Sequence, residues 1–155
     1  MTDIAKHIIF TILIGGLVAM LLLGIVLLSP KLAGADVDTS KAVIHHTASP
    51  CWTTVQDIDR WHKERGWDGI GYHFVIKCDG TIEKGRSLHK QGAHAKGRNN
   101  RLGIVLVGYD EFTNSQIVSL KKLLSDFGVL DIERHHKECP GEGLDVETLI
   151  AERKN

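Results

Sequence analysis

Leu102-Gly103-Ile104-Val105-Leu106-Val107-Gly108 is the stretch on which the reading of the fold turns. It is an almost continuous apolar run, the pattern of a strand covered on both faces, and it predicts a strand in the middle of a sheet. Upstream, Lys41 to Thr47 is rich in β-formers, and period-two alternation sends Val43 and His45 to one face, Ile44 and His46 to the other. Ser49-Pro50 breaks that strand. Thr54-Val55-Gln56-Asp57 starts a helix with a capping box, its stripe Val55, Ile58, Trp61 and His62 faces a core, and Gly66 ends it. Tyr72 to Lys77 alternates, Asp79-Gly80 predicts a two-residue hairpin turn, and Thr81-Ile82-Glu83 returns. Downstream, Asn114 or Ser115 caps a second helix with Ile117, Leu120, Leu124 and Phe127 on one face and Gly128 as its stop. Val129 to Glu133 leads on, and Asp145 to Lys154 reads as a short last helix. This order indicates an α/β domain, a mixed central β-sheet flanked by helices.

Between the hairpin and the apolar run, Arg86 to Arg101 is loop-like, with Gly92 and Gly97 and a cluster of His89, His94, Lys96, Arg98 and Arg101. Long irregular segments in compact domains are often functional. This one reads either as solvated surface or as a cationic rim for a substrate bearing carboxylates.

The chain has 155 residues, with 19 Lys and Arg against 19 Asp and Glu. That length fits one domain plus an appendage, and the zero net charge leaves no basic excess for a phosphate backbone, which argues against nucleic acid as a partner. From Ile8 to Leu28 there is no charge and only Thr11 is polar, so a helix there would be roughly 31 Å long, about the thickness of a bilayer core. Residues 1–35 are therefore expected to form a signal or anchor helix, 36–40 a polar linker and 41–155 the folded domain. Ala33-Gly34-Ala35 offers a cleavage site before Asp36; the length suits an uncleaved anchor; glycines at 15, 16 and 24 weaken partition into lipid and permit later release. In each case Lys6 stays inside and the domain lies outside the cytoplasmic membrane, at the inner membrane or in the periplasm.

The chemistry concentrates in Arg134-His135-His136-Lys137-Glu138-Cys139-Pro140-Gly141, which packs two imidazoles and a thiol into a few residues, the inventory of half a zinc site. On an extended chain His135 and Cys139 share a face, and Pro140 disfavours the helix that His136 would need, so His135 is preferred with His136 still open. His45, at the exit of the first strand, is the candidate for the missing ligand. Two histidines and a thiolate leave a fourth position free, as in catalytic zinc sites. Cys51 and Cys78 remain, either as a disulfide in an oxidising compartment or as two free thiols. Without further information Tyr72, His62 and His73 read as packing or surface residues.

Ile44-His45-His46-Thr47, Trp61 to Trp67, Gly71 to Ile76, Asp79 to Arg86, Gly92 to Gly97 and Lys137 to Pro140 together resemble, in the same order, the zinc-dependent N-acetylmuramoyl-L-alanine amidases of the phage lysozyme type. More distantly they resemble the peptidoglycan recognition proteins. The resemblance implies zinc ligands at His45, His135 and Cys139, catalytic groups at Tyr72 and Lys137, and a cleft histidine at His94; His46 reads either as a satisfied strand histidine or as a substrate contact. It implies hydrolysis of the amide between N-acetylmuramic acid and L-alanine of the peptidoglycan stem peptide; together with the apolar segment, this reads as a monomeric phage or prophage endolysin delivered by that segment. A non-catalytic peptidoglycan-binding receptor is the rival reading. One departure stands out: the family places more residues between its second histidine and the cysteine than the three found here.

Overall fold

The structure, a computed structural model, describes residues 37–152. The expected signal or anchor helix, its cleavage site and the end of the last predicted helix lie outside the described residues. Among the described residues no helix is long and apolar enough to cross a membrane.

The elements run β1 (Asp38–His46), α1 (Val55–Glu64), β2 (Phe74–Ile76), β3 (Ile82–Lys84), β4 (Arg101–Leu106), α2 (Asn114–Asp126), β5 (Asp131–Arg134) and α3 (Val146–Glu152). They build one five-stranded sheet in the order β3-β2-β4-β1-β5, so the apolar run is the middle strand as expected. Strand β4 pairs in parallel with β1 and β2, β1 pairs in parallel with β5, and only β3 is antiparallel.

Alternation along β4 explains both layers. Leu102, Ile104 and Leu106 pack with Ile44, Ile76 and the helical Leu120 and Leu124 on one face. Val105, with Val107 just beyond the strand, packs with Val75 and with Ile58 of α1 on the other. Each face buries a continuous aliphatic layer, and burial at about 25 cal/mol per Å² of apolar surface is the main term holding the sheet to its helices. Gln116 is fully buried and still satisfied: its Nε2 donates to Ile76 O and Val107 O, while its Oε1 accepts from the Thr113 N–H. It ties the start of α2 to the ends of two strands.

Three local expectations are corrected. Strand β1 begins at Asp38, so part of the expected 36–40 linker is strand, held by the Asp38 N–H bond to Asn100 O and by parallel pairing with Arg101. The cap of α2 is Thr113, one residue early, because only there does a glutamine three positions on close a capping box. The hairpin loop is longer than Asp79-Gly80: Lys77 pairs with Thr81, and Gly80, at φ 88°, closes a turn onto Lys77 O. That is the three-residue form in which a left-handed glycine follows the turn. Cys78, inside this loop, forms a disulfide with Cys51, so the two are not free thiols.

All the parallel strands point their carboxyl ends the same way, and ligands of open α/β sheets bind at that edge. His45 and His46 lie at the end of β1, and His135 follows β5 directly.

Candidate metal centre

Strand register builds the site. Ile44 pairs with Arg134, and the His135 N–H donates to Ile44 O at 3.2 Å, so His45 and His135 sit side by side with ring centroids 4.5 Å apart. The chain then reverses in a tight turn: the Cys139 N–H donates to His136 O at 3.0 Å, and the His136 N–H returns to Cys139 O at 3.3 Å. This reversal brings Cys139 back to the histidines. The possible ligand atoms of His45, His135 and Cys139 all lie within 4.8 Å of one another. His136 instead turns outward, with its Nδ1 3.2 Å from Glu138. The structure thus brings His135, and not His136, to Cys139, through a tight turn and not through the shared extended face expected from the sequence. That turn also explains how three intervening residues suffice.

Burial sets the electrostatics. His45 is 1% exposed, and its pKa is pushed down to about 2, by burial first and then by neighbouring His94 and His135. Burial also lowers His135 and raises the Cys139 thiol, the latter opposed by a bond from the His46 backbone N–H. Two neutral imidazoles with free lone pairs and a thiol that needs a nearby cation to ionise form a donor set suited to zinc.

The same shifts make the metal-free fold acid-sensitive. His94 is held down to about 4, again by burial, while histidines in the unfolded chain titrate near 6.5. Depressed folded values mean that the unfolded state binds more protons, so stability is complete above about pH 6.5 and falls as pH drops toward 4. Urea titrations of chelator-treated protein should therefore lose stability between about pH 6.5 and 5 with a slope of more than one proton, of order a few kcal/mol in all. A flat profile in that window would show that these imidazoles are not buried.

Tyr72 lies against the set, its ring centroid 5.0 Å from that of His45. Burial, then the proximity of Cys139, pushes its pKa up to about 12, so at neutral pH its hydroxyl keeps its proton and can donate. His62 Nδ1 accepts from the Gly71 N–H at 2.9 Å and its ring packs on Tyr72, so it serves packing, as read from the sequence. His94 lines a groove of about 510 Å³ with Trp67, Lys96, Asn99 and His135. Lys137 occupies the exposed tip of the turn. His46 is not brought to this face: alternation turns it to the far side of β1, near Asp110 and Pro140, where its Nδ1 is buried without a hydrogen-bond partner.

The arginines of the long loop are neither free surface nor an open cationic rim. Arg98 donates to Glu133, Arg134 O and His135 O, the last at 2.6 Å, and Arg101 reaches Asp131 and Glu133. Arg134 holds Gly141 O and Leu144 O beyond the turn. Arg86 is engaged by Asp68 and by Ile70 O and Gln91 O. These braces fix the loop and the His135 segment to each other. No local pattern announced the braces from Arg98 and Arg101, because their partners lie about thirty or more residues away in sequence.

Fold and site together define a class: an α/β domain with a His/His/Cys set that could hold a metal ion at the ends of adjacent parallel strands, beside a protonated tyrosine. The chain belongs to the N-acetylmuramoyl-L-alanine amidase family, whose profile matches residues 35–142. It is 42% identical over 99 residues to the endolysin of Escherichia phage T7, a match spanning 56% of this chain and 66% of that protein. Among solved structures it is similar to the endolysin amidase LysCS of Clostridium intestinale, at 36% identity and TM-score 0.69, covering 77% of this chain and 86% of that one. Drosophila PGRP-LB, a peptidoglycan recognition protein, is similar at 30% identity and TM-score 0.60, covering 70% and 78%.

Proposed function

We propose that this protein is a zinc-dependent peptidoglycan hydrolase that cleaves the amide between the lactyl group of N-acetylmuramic acid and L-alanine of the stem peptide. The observation that carries this reading is the convergence of His45, His135 and Cys139 beside the Tyr72 ring. Those three side chains would hold zinc, which when bound supplies Lewis acidity toward the scissile carbonyl and acidifies water. The chain's own groups supply the rest. Tyr72, protonated at working pH, donates a hydrogen bond to the oxygen on which negative charge develops. Lys137 carries its ammonium on a flexible four-carbon arm from the turn tip, two residues before Cys139, and adds a positive charge to the same oxygen once substrate is in place. The groove between Trp67 and His135 receives the stem peptide, with Lys96 available to its carboxylates. With the metal-binding set complete, catalysis is favoured over a receptor that only binds.

The protein acts as a monomer on the outer side of the cytoplasmic membrane, as an endolysin delivered by its N-terminal apolar segment. The Cys51–Cys78 disulfide supports an oxidising compartment. Incubation with purified peptidoglycan should release new L-alanine amino termini, lost on chelation and restored by zinc. New reducing ends instead would identify a glycosidase, and binding without either product would favour the receptor. Sequencing the amino terminus from membrane and periplasmic fractions tests delivery: Asp36 means a cleaved signal, Met1 in the membrane an anchor, and soluble Met1 a released segment. Cytoplasmic protein alone would refute export.

A further inference from the structure

Behind the metal-binding set lies a second layer of imidazoles that the reaction does not use directly. His94 is 8% exposed and His73 is 1% exposed. His94 Nε2 is 3.2 Å from Arg101 O, and His94 Nδ1 is 3.0 Å from His45 Nε2. A carbonyl oxygen can only accept, so the His94 proton is on Nε2. His94 has a carbonyl on one side and an imidazole on the other, and an enclosed ring without a counter-charge is neutral and carries one N–H. Its Nδ1 is then a lone pair, which must accept a proton from His45 Nε2. His45 in turn keeps its own lone pair on Nδ1.

The surroundings hold this order in place. The His94 ring sits in a slot between two glycines: a Cβ added at Gly92 or at Gly103 would come within 2.4 Å of its Cδ2. Asn99 Oδ1 accepts from the His94 and Ala95 N–H groups, both at 2.8 Å, which pins the loop that carries the ring. His73 fixes the other wall: its Nδ1 accepts from the Gly103 N–H at 2.9 Å, and its Nε2 donates to Lys90 O at 3.2 Å. The His94 ring therefore cannot turn over without breaking two hydrogen bonds and clashing with backbone on either side.

We propose that His94 is a positioning residue: the chain Arg101 carbonyl, His94, His45 fixes His45 as its Nε2–H tautomer, so that His45 offers Nδ1 to the metal. The ligand role of His45 rests on the proposed zinc site; the tautomer does not. Outer partners of metal-bound histidines orient the ring and raise its basicity, and their loss typically costs about 10–100-fold in affinity. Here a second imidazole relays that effect from a backbone carbonyl.

The test uses the full chain, ¹⁵N-labelled and metal-free. Long-range ¹H–¹⁵N spectra at neutral pH should show both His45 and His94 protonated at Nε2 and bare at Nδ1. His94→Leu should weaken zinc binding, measured by competition with a chromophoric chelator, by about 10–100-fold. His94→Asn, whose side-chain oxygen can still accept from His45 Nε2–H, should recover most of that loss. An Nδ1–H form of His45 in the wild type would overturn the proposal, as would wild-type affinity in His94→Leu. Equal losses in the two variants would also overturn it, since His94 would then merely fill its slot. Should His94→Leu fail to fold, the wild-type spectrum decides alone. Correct tautomers and zinc affinities in a protein that releases no L-alanine amines would refute the amidase reading and leave this one standing.

Discussion

Cys139→Ser is expected to abolish amide hydrolysis and to weaken zinc binding by more than about a hundredfold, beyond the roughly 10–100-fold cost of losing a mere outer partner of a ligand. The sulfur is the only ligand atom of the set that can bring a negative charge. A serine hydroxyl in the same place stays protonated and is a poor match for a borderline-soft cation. The fold should survive. Cys139 is held in its turn by backbone bonds to His136, which serine keeps, and its thiol contributes one buried contact to the bond from the His46 N–H, which a hydroxyl can also accept. Metal content after dialysis, release of L-alanine amino termini and the far-ultraviolet circular dichroism spectrum check the three parts. A variant with wild-type metal and wild-type rate would remove Cys139 from the site.

What the sequence made legible follows the range of the interactions involved. The β4 run announced a middle strand because burial on both faces leaves no polar position in it, and Thr54 announced α1 because its capping box closes within a few residues. His45 and Cys139 were singled out by ligand chemistry and placement, whereas Tyr72 emerged only through its place in a family pattern. The structure brings His135 rather than His136 to Cys139, but by a tight turn and not by a shared extended face, since the backbone hydrogen bonds between His136 and Cys139 are ones that side-chain periodicity does not encode. Arg98 and Gln116 were missed as structural groups because their partners, such as Glu133 and Ile76, lie distant in sequence. The slot for His94 needed Gly92 and Gly103 together, and nothing in either glycine's neighbourhood marks the pair. The Cys51–Cys78 bond likewise depends on where the segment before α1 and the β2–β3 loop meet, and its Cα separation of 5.5 Å could not be read from spacing.

Tyr72→Phe separates binding from chemistry. Only the hydroxyl is removed, and the ring keeps its packing against His45 and His62, with centroids 5.0 and 5.3 Å away. Zinc affinity, KM and melting temperature should therefore change little. In the proposed mechanism the donor lost is one aimed at charge that develops in the transition state, and removing such a donor typically costs about 10²–10³ in kcat, or about 2.7–4 kcal/mol. The direction of the tyrosine's shift sharpens the expectation. A pKa pushed up to about 12 keeps the hydroxyl protonated throughout the neutral and mildly alkaline range, so Tyr72 acts as a donor and not as a base. Any alkaline decline in wild-type kcat below about pH 10 must then come from another group and should persist in the variant, at the reduced rate. Steady-state kinetics on soluble muropeptide from about pH 6 to 10 would read both effects. A kcat within about twofold of wild type would remove Tyr72 from the chemical step, and loss of the alkaline limb in the variant would make its ionisation part of the mechanism.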